Sequence, residues 1–259
     1  MDLFGVHVDK VYASSTSSIA KHLEVASRCF ESKVFSIFVS SPRARMITVD
    51  PEQIRRFVDS TGIKIIAHST YAAGITDPFI HEELDVCTKA GISGLVVHLP
   101  KALFDTRSIS TSGCLLYLET PAVVKGNYHN ATQLNALFEM NPELGICIDT
   151  AHLHTSGTPL TTASDMHALL DNLNPAIYET GKLMFHLNDS ARDLGKGPDK
   201  HDIFDGKIWG EDKSGLQVLV QFIIQHKIPT ILERSSFSLS DIKKDLATIS
   251  LLGAKYEDI

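Results

Sequence analysis

Nine histidine and acidic residues of this chain stand where apolar segments end, or in the loops that follow. Five are histidines and four are carboxylates, and no cysteine is among them. Nitrogen and oxygen donors of this kind suit zinc or manganese, and nine are too many for one four-coordinate ion. Two or three ions that share a bridging carboxylate would use them all. The nine residues are His68, His98, Glu119, Asp149, His152, His186, Asp199, His201 and Glu233.

Each of these residues also has an ordinary structural interpretation. Asp149 closes an apolar run and could be a helix N-cap, and a histidine such as His152 is often satisfied by a backbone hydrogen bond. That interpretation is improbable for all nine together, because four carboxylates gathered without cations would repel one another and have raised pKa values. The set therefore predicts a polynuclear metal site, although it does not name a substrate.

Eight short apolar runs with the character of buried strands place most of these residues. Six of the runs end in a candidate ligand: His68, His98, Glu119, Asp149, His186 or Glu233. Apolar residues at helical spacing follow most of the strands, whereas residues 150–157 are expected to form the loop that leaves strand six. The predicted strands are residues 4–8, 34–39, 63–68, 94–98, 114–119, 144–149, 183–186 and 228–233.

This alternation predicts an α/β fold, a single (β/α)₈ TIM barrel that occupies residues 1–259 as one domain. The carboxyl ends of its strands would then bring the candidate ligands to one rim. Only fifteen residues, rich in serine and threonine, separate strands four and five, so a shortened crossover is expected there. The long polar segment 187–213 is expected to be functional or mobile.

Composition sets wider limits on function. With 43% hydrophobic and 21% charged residues among 259, the chain is an ordinary globular protein. The sequence has no secretory signal pattern and no apolar run of about 20 residues, so an intracellular protein without a membrane partner is expected. The formal charge of −7 argues weakly against a polyanion partner. Three divalent cations would reduce that charge to −1 (−7 + 6), so part of the acidity would belong to the metal site.

Several segments closely resemble the motifs of the endonuclease IV family of apurinic/apyrimidinic (AP) endonucleases. The resemblance runs from His7 to Glu233, and all nine family metal ligands have a counterpart here. The segments are Ala67-His68-Ser69-Thr70-Tyr71, Val96-Val97-His98, Leu118-Glu119-Thr120, Cys147-Ile148-Asp149-Thr150-Ala151-His152, Ser156-Gly157, His186-Leu187-Asn188-Asp189-Ser190, Asp199-Lys200-His201 and Ile231-Leu232-Glu233.

The resemblance implies a DNA repair enzyme that cuts 5′ to an abasic site and leaves a 3′-hydroxyl and a 5′-deoxyribose phosphate. The sequence leaves open whether a 3′-phosphodiesterase activity accompanies this incision. It also implies three zinc ions per chain, with manganese as an alternative at one position. His68, His98 and Glu119 would hold the first ion, and Glu119, Asp149, His186 and Glu233 the second. His152, Asp199 and His201 would hold the third, so Glu119 would bridge two ions and be essential for catalysis.

The implied partner is double-stranded DNA that contains abasic sites, bound by a monomer. Tyr71 and Arg43 match family residues that enter the duplex at the lesion, although Tyr71 could also be a packed loop aromatic and Arg43 a solvated charge. Other cations on the same predicted face could contact phosphates. These are Lys101, Arg107, Lys125, Arg192, Lys196, Lys200 and Arg234. Departures from the family pattern after strand one, His98 and Glu119 affect loops that would meet DNA.

Two other functions remain open at this point. A xylose-isomerase-like sugar isomerase or epimerase would also use histidine and carboxylate ligands at strand ends. Such a site needs about four ligands and would leave His152, Asp199 and His201 without a role. A non-catalytic protein that binds damaged DNA would retain the metals only as structure.

Overall fold

The computed structural model describes residues 2–9, 14, 16–99, 113–122, 127–234 and 238–257, with side chains to residue 254. In this part of the chain, eight parallel strands close into a barrel, in which each strand pairs with the barrel strands before and after it along the chain and the first pairs with the last. This architecture confirms the predicted TIM barrel. The barrel strands are β1 (Phe4–His7), β2 (Val34–Phe38), β3 (Lys64–His68), β4 (Gly94–His98), β5 (Leu115–Glu119), β6 (Gly145–Asp149), β7 (Leu183–His186) and β10 (Thr230–Leu232).

Helices follow the strands and cover the outside of the barrel. They are α1 (Ile19–Cys29), α2 (Pro51–Thr61), α3 (Phe79–Ala90), α4 (Ala131–Met140), α5 (Thr150–Ser156), α6 (Ala163–Leu170), α7 (Pro175–Glu179), α8 (Ser214–His226) and α9 (Leu239–Glu257). The residues at the two ends of α2 explain where this helix begins and ends. The Asp50 side chain accepts the Glu52 N–H, Pro51 takes the first helical position, and Gly62 ends the helix in the left-handed region at φ 67°.

Helix α5 corrects one prediction, because residues 150–156 are helical where a loop was expected. The Asp149 side chain is the reason: its Oδ1 accepts the backbone N–H of His152 at 2.9 Å and begins the helix. Gly157, at φ 103°, ends it after seven residues. The crossover between β4 and β5, predicted to be short, lies outside the described residues.

Two groups of apolar residues form the core. The larger lies between strands and helices and includes Leu23, Ile54 and Leu219. The smaller takes one residue from each of seven strands and fills the inside of the barrel. Its members are Val34, Ile66, Val96, Tyr117, Cys147, Met184 and Ile231.

Tyr117 belongs to this inner layer, and the strands on either side of its own carry glycine next to its ring. A Cβ atom on Gly94 would lie 2.6 Å from Tyr117 Cε2, and one on Gly145 would lie 2.5 Å from Tyr117 Cδ1. Side chains at those positions would therefore collide with the ring. The glycines make room for an aromatic side chain that blocks the barrel beneath its rim.

The segment 187–213 has more order than its composition suggests. It contains a small antiparallel pair, β8 (Asp189–Ser190) and β9 (His201–Asp202). The buried carboxylate of Asp189 accepts four backbone N–H groups at 2.6–3.2 Å, which folds the segment around one side chain. The four donors belong to Ser190, Gly206, Ile208 and Trp209. None of the helices in the described ranges is both long and apolar enough to span a membrane.

Candidate metal centre

The period of a β-strand explains why the candidate ligands face one another. Successive residues of a strand point to opposite faces, so a residue two positions after an inward side chain also points inward. Six residues of the inner apolar layer are followed at this spacing by a candidate ligand. The ligands therefore form a polar layer above the apolar one. The pairs are Ile66/His68, Val96/His98, Tyr117/Glu119, Cys147/Asp149, Met184/His186 and Ile231/Glu233.

Glu119 lies at the centre of this polar layer. Its Oε1 lies 2.6 Å from His186 Nδ1, and its Oε2 lies 2.7 Å from His98 Nε2 and 3.2 Å from His68 Nε2. Burial alone would raise the pKa of Glu119, but His98 and His186 hold it well below its usual value. Glu119 is thus an anion that touches three imidazoles, as a carboxylate shared between ions would be.

Potential ligand atoms gather in overlapping groups whose members all lie within 4.8 Å of one another. One group contains His68, His98 and Glu119. A second contains Glu119, Asp149, His186 and Glu233, so the two share Glu119. These groups have the same composition as the first two ligand sets implied by the family resemblance.

A third group combines Asp149 with His152 and His201, whereas the resemblance implies Asp199 as their companion. Asp199 is nevertheless close, because its Oδ2 lies 3.2 Å from His201 Nε2 and 3.6 Å from His152 Nε2. All nine candidate residues are therefore brought to one rim. Asp149 is a member of both the second and the third group.

Cys147, which is not one of the nine candidate ligands, also lies near Glu119 and His186. Burial raises the pKa of its thiol to about 12. Cys147 is also a member of the inner apolar layer beneath the ligands.

Buried polar atoms without partners indicate what the rim could hold. Among the candidate ligands, His186 Nε2 and Asp199 Oδ1 have neither solvent contact nor a hydrogen-bond partner. Burying such atoms unsatisfied is costly, and each is a good ligand for a divalent cation. The donor set therefore fits metal ions.

The electrostatics of the histidines agree with this fit. Burial would lower the pKa values of His152, His186 and His201, but neighbouring acidic groups raise all three above the usual value. Burial has the largest influence on the pKa values of His152 and His201, and Asp149 is the strongest of the groups that raise them. The carboxylates thus provide a negative field that favours any cation, whether a proton or a metal ion.

Backbone carbonyls orient two of the imidazoles. His68 Nδ1 lies 2.7 Å from Ser69 O, and His152 Nδ1 lies 2.7 Å from Thr120 O. In both rings, Nδ1 donates to the carbonyl and leaves Nε2 facing the carboxylates, an arrangement typical of metal-binding histidines. Spacing alone could not have revealed these contacts, because the carbonyl groups carry no signal of residue type.

Tyr71 lies on the same rim with 56% of its surface exposed. Its ring centroid is 5.1 Å from that of His98 and 5.5 Å from that of Phe38. Its backbone N–H donates to Pro42 O at 2.9 Å, which joins the loop after β3 to the loop after β2. The exposed Arg43 follows Pro42 directly, so both predicted DNA contacts stand on neighbouring rim loops.

The prediction that Arg234 could contact phosphate is wrong. Its side chain is fully buried, and its Nε donates to Asp245 Oδ2 at 2.9 Å. Its place in the sequence, next to the candidate ligand Glu233, gave no sign of this burial. Arg192, Lys196 and Lys200 are exposed, as a phosphate contact requires. Lys101, Arg107 and Lys125 lie outside the described residues.

Asn188 was not predicted as a site residue, although it stands two positions after His186. Its side-chain nitrogen donates to Asp149 Oδ2 at 2.6 Å and to Glu233 Oε2 at 3.3 Å. The β-strand period contains a signal for it, because a residue two positions after an inward ligand also faces the interior.

Comparisons with known proteins agree with the geometry. A "Probable AP endonuclease" of African swine fever virus (isolate Warthog/Namibia/Wart80/1980) is 31% identical over 252 residues, which cover 85% of each chain. A "Probable endonuclease 4" of Thermosipho africanus is 28% identical and covers 77% of this chain and 82% of its own. The crystal structure of AsfvAP:AG is 27% identical, with a TM-score of 0.88 and coverage of 96% of this chain and 98% of its own. A scan of protein-family models finds no match.

Proposed function

Since the chain belongs to the endonuclease IV family of AP endonucleases, we propose that its barrel rim hydrolyses the phosphodiester bond 5′ to an abasic site in double-stranded DNA. The observation that carries this proposal is the pair of ligand groups that share Glu119, with a third group adjoining them. The products would be a 3′-hydroxyl and a 5′-deoxyribose phosphate. The same centre would remove 3′-phosphoester groups, because the bond broken is of the same kind.

We assign three zinc ions to the rim, with manganese as an alternative at one position. His68, His98 and Glu119 would hold the first, and His152, Asp199 and His201 the third. The second would be held by Glu119, Asp149, His186 and Glu233. When bound, such ions neutralise phosphate oxygens and promote ionisation of the attacking water.

The exposure of the ligands indicates where the substrate enters. The side chains of His68, Glu119 and His186 are at most 2% exposed. His98, at 44%, and Asp199, at 26%, are the more open members of the set. The scissile phosphate would therefore approach on the side where His98 and Asp199 stand, and the buried Glu119 would hold the ions from the opposite side.

Tyr71 and Arg43 would contact the DNA around the lesion. An exposed aromatic ring beside His98 can occupy space left by a missing base, and unstacking costs least where the base is absent. Arg43, on the neighbouring loop, would add a positive charge for the DNA backbone. We also propose that residues 1–259 act as one domain and as a monomer, in the compartment that holds the DNA.

The decisive experiment is incision of an end-labelled duplex that carries one tetrahydrofuran abasic analogue. This analogue cannot undergo β-elimination, so a single cut 5′ to it must come from hydrolysis. We expect that cut, its loss after chelation and its return with zinc. A duplex of the same sequence without the lesion is the control.

Other outcomes would overturn the proposal in distinguishable ways. Tight binding of the lesion duplex without cleavage, by protein loaded with zinc, would indicate a non-catalytic binder. Neither binding nor cleavage, together with metal-dependent conversion of small sugars, would favour the isomerase alternative.

A further inference from the structure

The Asn188 side chain lies beside the candidate ligands and touches two of their carboxylates. It is fully buried. Its amide nitrogen has two hydrogens, and both are used: one points to Asp149 Oδ2 at 2.6 Å and the other to Glu233 Oε2 at 3.3 Å. One neutral group therefore holds two carboxylates from different strands, β6 and the end of β10.

The orientation of this amide is fixed by what surrounds its oxygen. Asn188 Oδ1 accepts the Glu233 backbone N–H at 3.0 Å and an Arg234 guanidinium N–H at 2.7 Å. Two donors at the oxygen rule out the flipped amide, which would place hydrogens against hydrogens. The nitrogen must therefore face the carboxylates.

The Arg234 side chain is held in place by a residue of α9. Its Nε donates to the buried Asp245 at 2.9 Å, and its guanidinium carbon lies 5.3 Å from the centroid of the Phe204 ring. Asp245 Oδ1 in turn accepts the Phe204 backbone N–H at 3.0 Å. A chain of buried contacts thus runs from α9 through Arg234 to Asn188 and ends at two candidate metal ligands.

We propose that Asn188, oriented by Arg234 and Asp245, is a positioning residue that sets the Asp149 and Glu233 carboxylates for the metal ions. This inference rests on the proposed function. Asp149 Oδ1 already accepts the His152 N–H, so the bond from Asn188 to Oδ2 fixes the second oxygen and completes the orientation of the group. An oxygen that accepts one hydrogen bond keeps a lone pair for an ion.

The charges of the residues that connect α9 to Asn188 suit a positioning role. A cation in direct contact with Asp149 and Glu233 would compete with metal ions for them. The Arg234 charge is instead paired with Asp245 and reaches the carboxylates only through a neutral amide. The arrangement therefore supplies rigidity without placing a positive charge against the ligands.

The test is the zinc affinity of Asn188→Leu, which keeps the volume of the side chain and removes both donors. We expect it to fold and to need about 10–100-fold more free zinc for the same occupancy, the usual effect of losing a group that orients ligands. The cobalt-substituted protein should show an altered d–d spectrum. On the tetrahydrofuran duplex, kcat should fall while KM changes little.

Asn135→Leu is the matched control. Asn135 also joins two segments through its amide, since it donates to Asn172 O at 2.8 Å and accepts the Asn174 N–H at 2.8 Å, but it lies on α4, away from the rim. We expect it to lose some thermal stability and no zinc affinity. The inference is overturned if Asn188→Leu behaves in the same way, with a lower Tm and wild-type zinc affinity.

A second variant tests the contribution of Arg234. Arg234→Met alone would leave Asp245 buried and unpaired, so folding itself could fail. The double variant Arg234→Met/Asp245→Leu removes the pair together and leaves no lone charge. We expect a loss of zinc affinity in the same direction as for Asn188→Leu but smaller, whereas wild-type affinity would remove Arg234 and Asp245 from the proposal.

Failure of the inference can be told from failure of the proposed function, because zinc binding is measured without DNA. A wild-type protein that binds no zinc, or binds zinc and does not cut, overturns the proposed function. Wild-type protein that binds zinc and cuts, with an Asn188→Leu variant of equal affinity, overturns only the positioning role.

Discussion

Glu119 concentrates the chemistry of the rim into one side chain. Its two oxygens lie 2.6–3.2 Å from three imidazoles, and it belongs to both of the first two ligand groups. The sequence predicted its central place only through a resemblance, because the residue pattern alone shows which strand ends carry ligands and not which ligand is shared. The short distances to three histidines are the physical basis for that assignment.

Replacement of Glu119 should therefore affect two ions at once. We expect Glu119→Gln to retain less zinc than wild type and to lose at least about 1000-fold in incision rate, or roughly 4 kcal/mol of transition-state stabilisation. Metal analysis after gel filtration and the tetrahydrofuran incision assay would measure the two effects. Residual incision above a tenth of the wild-type rate would contradict the bridging assignment.

Tyr71 should behave in the opposite way. Its exposed ring packs on Phe38 and His98 without belonging to a ligand group. We expect Tyr71→Ala to keep its zinc and to bind lesion DNA about 10-fold more weakly, since stacking of a base on an aromatic ring contributes roughly 1–3 kcal/mol. Fluorescence anisotropy with a labelled duplex and metal analysis would separate the two properties.

Tyr178→Ala is the control for that experiment. Tyr178 lies on α7, and its ring centroid is 5.1 Å from Phe222, away from the metal centre. Its loss should leave lesion binding unchanged. Loss of zinc from Tyr71→Ala would instead assign Tyr71 a structural role in the centre.

At the scale of elements, α3 holds the loop that carries Tyr71. The buried Glu83 of α3 accepts Ser69 Oγ–H at 2.5 Å and the Thr70 backbone N–H at 3.1 Å. These two residues lie between the candidate ligand His68 and Tyr71. A single carboxylate thus connects a helix to both functional parts of the rim.

Glu83→Ala should loosen that loop. It leaves the buried Thr70 N–H without an acceptor, which costs about 1–3 kcal/mol of folding free energy. We expect urea unfolding to show this loss and lesion binding to weaken, while Glu82→Ala, on the exposed face of α3, changes neither. Equal stability of Glu83→Ala and wild type would show that the loop does not depend on this carboxylate.

The carboxylate of Asp189 makes the stability of the segment 187–213 depend on pH. Burial raises the pKa of Asp189 to about 6, although four backbone N–H groups oppose the shift. The folded protein therefore keeps this proton to higher pH than the unfolded chain does. The contribution of Asp189 to the unfolding free energy is fully present below pH 3.8 and is lost as pH rises through about 6.

Two-state unfolding of metal-free protein between pH 3.5 and 7, in steps of roughly half a unit, would measure this effect against Asp189→Asn, which does not titrate. The stability of wild type relative to the variant should decrease across the window by on the order of 3 kcal/mol. A constant difference would contradict a raised pKa.

Some elements could be predicted from sequence and others could not. Strand ends were predictable because apolar runs stop at polar residues, and α2 because Asp50, Pro51 and Gly62 mark its ends. Helix α5 was not predicted. Asp149 was considered as a possible N-cap and as a candidate ligand, but residues 150–157 were expected to form a loop. In the structure its carboxylate has both the capping contact and a place in the ligand groups.

At the scale of the whole molecule, eight strand ends converge because the sheet closes, and that closure brings residues as distant in sequence as His68 and Glu233 into one group. Alternation of strands and helices was enough to predict this architecture. The buried pair of Arg234 with Asp245 was not predictable, because a charged residue after a strand looks the same in sequence whether it faces solvent or the interior. Closure of the barrel decides between those two environments.

The inner apolar layer, with the Tyr117 ring seated between Gly94 and Gly145, lies beneath the candidate ligands and leaves them accessible from the rim. Ions and DNA would then reach the site through the same opening. DNA bound over that opening would slow the dissociation of the ions beneath it. We expect a chelator added after uncleavable lesion DNA to strip zinc more slowly than one added before, as followed with a zinc-sensitive dye. Equal rates would mean that the ions have another way out.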